Sequence, residues 1–114
     1  MSASQYKLHN LILIVDYNKY ISLGPINEIM KLDPLHSKLE SFGWSVVEVN
    51  GHHMDDIVSS LESLPLSSEK PTAIISNTIK GKGVSFMENV PMWHFRGPNQ
   101  KEIELARKEL HEAL

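Results

Sequence analysis

The stretch Asn10-Leu-Ile-Leu-Ile-Val-Asp-Tyr-Asn-Lys19 decides the fold class. Its apolar run, Leu11–Val15, is followed directly by the polar residues Asp16, Asn18 and Lys19. A strand that is buried on both faces of a parallel sheet has this continuous apolar pattern. Polar residues after such a strand lie at the carboxyl edge of the sheet, where ligands bind in open α/β folds. We therefore expect Leu11–Val15 to be a buried parallel strand that leads into a binding edge.

Two further segments follow the same plan, and helical patterns separate them. Short β-branched strands are predicted at Ser45–Val49 and Thr72–Ser76. Helices are predicted at residues 34–42, about 55–64 and about 100–114. Alternation of strands and helices predicts an α/β fold, a parallel sheet with flanking helices. We interpret residues 1–114 as a single domain of this class.

Capping residues and apolar stripes support the helix assignments. Asp33 can cap the first helix, Pro34 suits its first position, and Gly43 suits the residue past its end. Asn99 and Glu102 have the spacing of a capping box for the last helix. The predicted buried stripes are Leu35, Leu39 and Phe42; then Ile57, Val58, Leu61 and Leu64; and finally Ile103, Ala106, Leu110 and Leu114.

The bulk composition argues against several classes of function. A formal net charge of -3 gives no electrostatic reason to bind nucleic acid or an anionic membrane. The absence of cysteine from the sequence excludes disulfides and thiolate metal sites and fits a cytoplasmic protein. The apolar run Leu11–Val15 is too short to cross a bilayer, and residues 1–9 do not resemble a signal peptide.

Three groups of polar residues could have a chemical role: Asn18, the Lys80 segment and the histidines. Asn18 could offer a carbonyl oxygen to Mg²⁺, or it could only form an Asx turn after the strand. The segment Lys80-Gly-Lys-Gly83 is neither a Walker P-loop nor a dinucleotide fingerprint. Its glycines permit a close backbone approach, and Lys80 could reach an anion, although such a segment is also a common surface loop. His52 and His53 are adjacent, but we reject a zinc site there because successive side chains diverge. His94 differs because it follows Trp93 in a long loop, and long loops in compact domains are usually functional.

These segments together resemble the thiamine-diphosphate-binding domain of transketolase, particularly the separate N-terminal chain of bacterial split transketolases. The resemblance covers nearly the whole chain, and the ordered set is more specific than any single motif. The matching landmarks are Lys7–Lys19, Asp33-Pro-Leu35, Phe42-Gly-Trp44, Glu48-Val-Asn-Gly-His52, Lys70–Gly83, Met87-Glu-Asn89 and Trp93-His94.

The resemblance implies roles for four residues. Asn18 matches the asparagine that binds the Mg²⁺ of thiamine diphosphate, and Tyr20 matches the position whose backbone carbonyl completes that coordination. Lys80 matches a lysine near the cofactor in some family members. His94 matches a histidine that contacts the diphosphate and the substrate region and takes part in proton transfer. In the family the cofactor ylid attacks a ketose, and a two-carbon ketol unit passes between sugar phosphates.

The sequence also departs from the family pattern. It contains no Gly-Asp-Gly, the motif whose aspartate is the other protein ligand of Mg²⁺. In the family that motif lies one helix before the Asn10–Asn18 strand, so we expect that the chain starts too late to contain it. Phe95 and Arg96 follow the Trp-His pair where the family usually has glycine, and His53 replaces an expected aspartate. The pyrimidine-binding domain with its activating glutamate is expected on another chain.

We therefore weigh three functions. The first is a subunit or fragment of a transketolase-like enzyme, inactive alone, with partner chains that supply the Gly-Asp-Gly and pyrimidine-binding parts. Such a chain would be a homo-oligomer or a hetero-oligomer. The second is a non-catalytic remnant or interaction module that retains the fold. The third, a phosphoacceptor receiver-like domain, is disfavoured because the second and third strands end at Asn50 and at Ser76-Asn77, without a central aspartate.

Overall fold

A computed structural model of the protein describes residues 1–112. In chain order its elements are α1 (Ser2–Gln5), β1 (Ile12–Tyr17), β2 (Tyr20–Ile21), β3 (Gly24–Pro25), α2 (Ile26–Ile29), α3 (Leu35–Ser41), β4 (Ser45–Asn50), α4 (Met54–Glu62), β5 (Thr72–Asn77), a 3-10 helix (Pro91–His94) and α5 (Gln100–Glu112). Within residues 1–112, every helix is too short or too polar to cross a membrane.

The chain forms two compact units. The first unit comprises Met1–Tyr17 and Leu32–Thr78, and the second comprises Asn18–Lys31 and the residues from Ile79 on. The first unit contains the three long strands, whereas the second contains the β2–β3 hairpin, the 3-10 helix and α5.

The sheet of the first unit is parallel, with the strand order β1-β5-β4. Ile12 lies opposite Thr72 in one ladder, and Ser45 lies opposite Thr72 in the other. The three predicted strands are therefore confirmed, and each extends one or two residues further towards its carboxyl end than expected. The predicted fold class, a parallel sheet with flanking helices, is confirmed as well.

The core of the first unit is centred on β5. Ala73, Ile74 and Ile75 are buried, and Ile75 is only 1% exposed. This strand is paired on both sides and follows the buried Pro71. A continuous apolar pattern predicts a strand that is buried on both faces of a sheet, and Ala73–Ile75 of β5 are buried as this pattern predicts.

The prediction that the first strand, Leu11–Val15, is buried is wrong within residues 1–112. Ile12 and Ile14 are 44% and 60% exposed, and Leu11 and Leu13 are also exposed. The physical reason is position: β1 is an edge strand that pairs with β5, and residues 1–112 place no strand on its other side. Only Tyr17, at the end of β1, is buried.

The start of α3 differs from its prediction. Pro34 is the N-cap, the helix begins at Leu35, and Asp33 makes no capping bond. The Asp33 carboxylate instead accepts a hydrogen bond from the hydroxyl of Tyr17, at 2.5 Å. Burial and this carboxylate raise the pKa of Tyr17 to about 12. Gly43 follows the end of the helix, as predicted, with a positive φ of 84°.

The predicted apolar stripes are only partly buried. Exposed members include Phe42, Val58, Leu61 and Leu110. Leu64 lies beyond the end of α4, and Leu114 lies outside the described residues. The helical spacing of apolar residues therefore predicts the helices correctly, but it does not predict what fraction of each apolar stripe is buried.

The capping box of α5 is confirmed in both directions. The Asn99 side chain accepts the backbone N–H of Glu102 at 3.1 Å, and the Glu102 carboxylate accepts the backbone N–H of Asn99 at 2.7 Å. This reciprocal pairing satisfies donors that the first turn of a helix leaves unpaired. It fixes the start of α5 at Gln100.

Candidate functional site

The structure places all four predicted site residues in the second unit. Asn18 and Tyr20 lie at the start of its first segment, where the chain leaves β1 and enters β2. Lys80 lies in the loop after β5, and His94 is the last residue of the 3-10 helix. Sequence positions that are 76 residues apart, from Asn18 to His94, are thus members of one compact unit.

Asn18 forms a tight turn with its own backbone. Its Oδ1 accepts the backbone N–H of Tyr20 at 2.9 Å, across Lys19 in a left-handed conformation with φ of 68°. The Lys19 carbonyl accepts the N–H of Ile26 at 2.9 Å, at the start of α2. The Asx-turn interpretation is confirmed, and the turn holds the Asn18 amide close to the Tyr20 backbone.

Asp16, near the end of β1, makes a hydrogen bond to the end of a neighbouring strand. Its carboxylate accepts a hydrogen bond from the hydroxyl of Thr78, just beyond β5. Both residues belong to the first unit, at the carboxyl ends of neighbouring parallel strands. The bond ties these two strand ends together.

The carbonyl oxygens of Asn18 and Tyr20 fit part of the ligand set of a magnesium diphosphate site. Asn18 offers a side-chain carbonyl oxygen, which is a ligand type that Mg²⁺ accepts. The Tyr20 carbonyl would add a second neutral oxygen. Mg²⁺ requires near-octahedral oxygen coordination and usually at least one carboxylate. In residues 1–112 no cluster of three or more His, Asp or Glu side chains is arranged to bind a metal.

The glycines of the Lys80 loop serve the closure of the loop itself. Gly81 has φ of 74°, and a Cβ there would lie 2.5 Å from the Met87 carbonyl oxygen. The Lys80 carbonyl accepts the N–H of Asn89 at 2.9 Å, which closes the loop at its base. The predicted close backbone approach is therefore present, and its partner is Met87 of the same loop. Lys80 itself is half-buried at this base.

His94 is exposed and is flanked by a large apolar residue. Its ring meets that of Phe95 edge-to-face, with the centroids 5.3 Å apart. Phe95, at the position where the resemblance implies glycine, is 67% exposed. The extra bulk thus lies directly against the predicted site histidine.

Arg96, the other departure, is held in a fixed position. Its guanidinium lies over the Trp93 ring, 3.9 Å from the centroid, and donates two hydrogen bonds to Glu102 at 2.8 and 2.6 Å. Arg96 and the Asn99 N–H lower the pKa of the Glu102 carboxyl to about 2. The positive charge of Arg96 is therefore balanced by a carboxylate inside the unit.

Sequence reasoning missed a second carboxylate contact, between α5 and the Lys80 loop. Glu109 accepts the backbone N–H of Ser85 at 2.5 Å and its hydroxyl at 2.7 Å. These two bonds, the backbone one first, lower the pKa of the Glu109 carboxyl. The partners are 24 residues apart, so no local spacing in the sequence could have shown the pair.

Comparison with known proteins assigns the family. The sequence profile described as "Transketolase, thiamine diphosphate binding domain" matches residues 1–112. The chain belongs to this transketolase family. The resemblance, which rests on the ordered landmarks from Lys7–Lys19 to Trp93-His94, is thereby confirmed at the level of the family.

Individual relatives support the same family assignment. The chain is 40% identical to a subunit of apulose-4-phosphate transketolase from Phocaeicola vulgatus, over all of this chain and 41% of that protein. It is 34% identical to the human protein named "Transketolase", over 98% of this chain and 18% of that protein. A crystal structure of transketolase from Campylobacter jejuni superposes with a TM-score of 0.88 at 28% identity, over 96% of this chain and 17% of that one. The chain thus spans about two fifths or less of the length of these relatives.

Proposed function

We propose that this chain is one part of a transketolase-like enzyme and contributes to a thiamine diphosphate site. The observation that carries the proposal is the turn at Asn18, because it brings a side-chain oxygen and the Tyr20 backbone together in a chain of this family. When bound, thiamine diphosphate supplies the carbon nucleophile for the transfer of ketol units between sugar phosphates. The contribution of this chain is to bind and orient.

Each of the four residues has a separate role in this proposal. The Asn18 side chain and the Tyr20 carbonyl provide two oxygen ligands for Mg²⁺. Lys80 provides a positive charge for the diphosphate. His94, exposed beside Phe95, contacts the diphosphate end and moves a proton at its ring nitrogen. We also propose that residues 1–114 act as a single diphosphate-binding domain and that the protein is cytoplasmic.

The remaining ligands are proposed to come from a polypeptide segment outside these 114 residues. That segment would supply the Gly-Asp-Gly carboxylate, and a further one the pyrimidine-binding part. Two relatives are named as subunits of an apulose-4-phosphate transketolase, which supports a protein of several chains. The exposed apolar strand β1 supports contact with another chain, because an unpaired edge with exposed isoleucines invites pairing.

Calorimetric titration with thiamine diphosphate and Mg²⁺ tests this proposal. The chain alone should bind weakly or not at all, since two neutral oxygens do not complete magnesium coordination. After addition of a chain that carries Gly-Asp-Gly, binding should appear, and Asn18→Ala should reduce it sharply. Lys108→Ala, a change at an exposed position of α5, should leave it intact. Tight Mg²⁺-dependent binding by the chain alone, or equal binding by the two variants, would contradict the proposal.

A second candidate is an interaction module that retains the fold without the chemistry. The specific observation in its favour is Phe95, whose exposed ring stands against His94 in place of the usual glycine. This candidate predicts that the partner complex forms but binds no thiamine diphosphate, and that Phe95→Gly does not restore binding.

A further inference from the structure

Helix α5 makes polar contacts near two of the segments that carry predicted site residues, the Lys80 loop and the segment of His94. Near its start, Glu102 binds Arg96, whose guanidinium covers Trp93, the neighbour of His94. Near its end, Glu109 binds the backbone and hydroxyl of Ser85, inside the loop that Lys80 closes. Both carboxylates are thus bonded to groups outside the helix.

The two carboxylates lie on the same face of α5. They are seven residues apart, which is almost two full turns and about 10 Å along the axis. Charge-assisted hydrogen bonds of this kind are shorter and stronger than bonds between neutral groups. A rigid helix with two such bonds therefore fixes the spacing between the segments that it contacts.

A third bond links the two segments directly. Trp93 Nε1 donates to the Phe86 carbonyl at 3.0 Å, and the two rings pack with their centroids 5.4 Å apart. Gly83 also donates its N–H to Glu88, and Lys82 pairs with the same carboxylate, so the loop has its own internal order. The loop, the 3-10 helix and α5 therefore form a closed set of contacts within the second unit.

We propose that Glu102 and Glu109 are positioning residues, through which α5 sets the placement of Lys80 and His94 for an anionic cofactor. Neither carboxylate needs to touch the cofactor. Glu109 acts through Ser85 and the closed loop, and Glu102 acts through Arg96 and Trp93. The inference rests on the proposed function for its ligand, but the contacts that carry it are present in the chain itself.

The first test measures order in the full chain without any cofactor. Glu109→Ala should raise amide hydrogen exchange at Ser85 by about tenfold, because the charge-assisted bond that its N–H donates to Glu109 is lost. Ile74 and Ile75 in the other unit should keep their exchange rates. Glu109→Gln, which retains one acceptor oxygen, should give an intermediate rate. Glu104→Ala is the matched control, since Glu104 is a carboxylate of the same helix that accepts a bond from Gln100 only one turn away.

The second test uses Arg96→Lys in a Trp44→Phe background, which leaves Trp93 as the single tryptophan. Lysine keeps the positive charge, but it cannot form the bidentate hydrogen bond to Glu102 or stack a planar guanidinium on the Trp93 ring. Acrylamide quenching of Trp93 should increase about two- to threefold if Arg96 covers the ring. Unchanged quenching in this variant, together with unchanged exchange in Glu109→Ala, would overturn the positioning role.

The third test separates positioning from the proposed function. In the assembled protein, Glu109→Ala should weaken the binding of thiamine diphosphate with Mg²⁺ about tenfold while the urea midpoint changes little. A loss of affinity that only follows the loss of global stability would overturn the positioning role. If the wild-type assembly binds no thiamine diphosphate, the proposed function fails, whereas the exchange and quenching results still decide whether α5 fixes the two segments.

Discussion

Strands β1 and β5 are parallel neighbours of equal length that differ greatly in burial. Both are apolar and end in polar residues, yet Ile75 of β5 is 1% exposed and Ile14 of β1 is 60% exposed. β5 is paired on both sides, whereas β1 is paired with β5 alone within residues 1–112. The difference teaches that, within residues 1–112, β1 has the sequence of a central strand in the position of an edge strand.

The largest effect should come from truncating Ile75 in β5, and the same change at Ile14 in β1 is its contrast. Ile75→Ala should lower the free energy of unfolding by about 2–5 kcal/mol, because it leaves a cavity among buried neighbours. Ile14→Ala should lower it by only about 0.5 kcal/mol, since little apolar surface is lost from the core. Urea unfolding of the two variants measures both values. Similar losses would mean that β1 is as well covered as β5 and would remove the basis of the comparison.

A smaller effect is expected where the ends of β4 and β5 meet. Gly51 follows β4, and a Cβ there would overlap the side chains of Ser76 and Thr78. Gly51→Ala should therefore cost about 1–3 kcal/mol, because these neighbours must shift. Gly97→Ala is the matched control, since no atom lies within 4 Å of its added Cβ. Equal thermal unfolding of the two variants would show that the carboxyl end of β5 tolerates displacement.

The smallest effect concerns Tyr17, the buried member of β1. Tyr17→Phe should lower the free energy of unfolding by about 0.5–1.5 kcal/mol at neutral pH, because the bond to Asp33 is lost. The exposed carboxylate of Asp33 can then be hydrated by water. Urea midpoints of the two proteins at neutral pH give this difference.

The same pair has a defined pH dependence. The pKa of Tyr17 is about 12 in the folded chain, against an ordinary value of 10.0. Since the folded pKa is raised, the stabilisation is fully present below pH 10 and is lost as the pH rises through 12. The wild-type protein should therefore lose stability between pH 10 and 12 relative to Tyr17→Phe. A parallel decline in both proteins would show that the tyrosine ionises as easily in the folded chain as in the unfolded one.

The sequence was sufficient for the elements that depend on local pattern. The three long strands, the end of α3 before Gly43 and the capping box of Asn99 and Glu102 follow from periodicity and from short-range hydrogen bonds. Burial was not predictable in the same way, because an apolar run does not specify what lies beside it. Leu11–Val15 therefore looked buried, although β1 is an edge strand in these residues.

In the candidate site, too, local contacts can be predicted from the sequence, whereas long-range contacts cannot. The turn at Asn18 was predictable because its bond spans two residues. The contacts of Asp16 with Thr78 and of Asp33 with Tyr17 depend on how the strands and loops meet in space. The contact of Glu109 with Ser85 also depends on the three-dimensional arrangement, and no pattern in the sequence predicts it. The sequence also does not predict the short elements, since two to four residues give no periodic signal. These are α1, β2, β3, α2 and the 3-10 helix.

The most direct test of an associating β1 edge is the mass of the purified chain by light scattering over a range of concentrations. We predict a mass above 12.9 kDa that rises with concentration, because the exposed edge pairs with other copies when its partner is absent. Ile14→Lys should return the mass towards that of the monomer, whereas Leu105→Lys, a change at an exposed leucine of α5, should not. A stable monomer of 12.9 kDa at every concentration, unchanged by Ile14→Lys, would contradict the account.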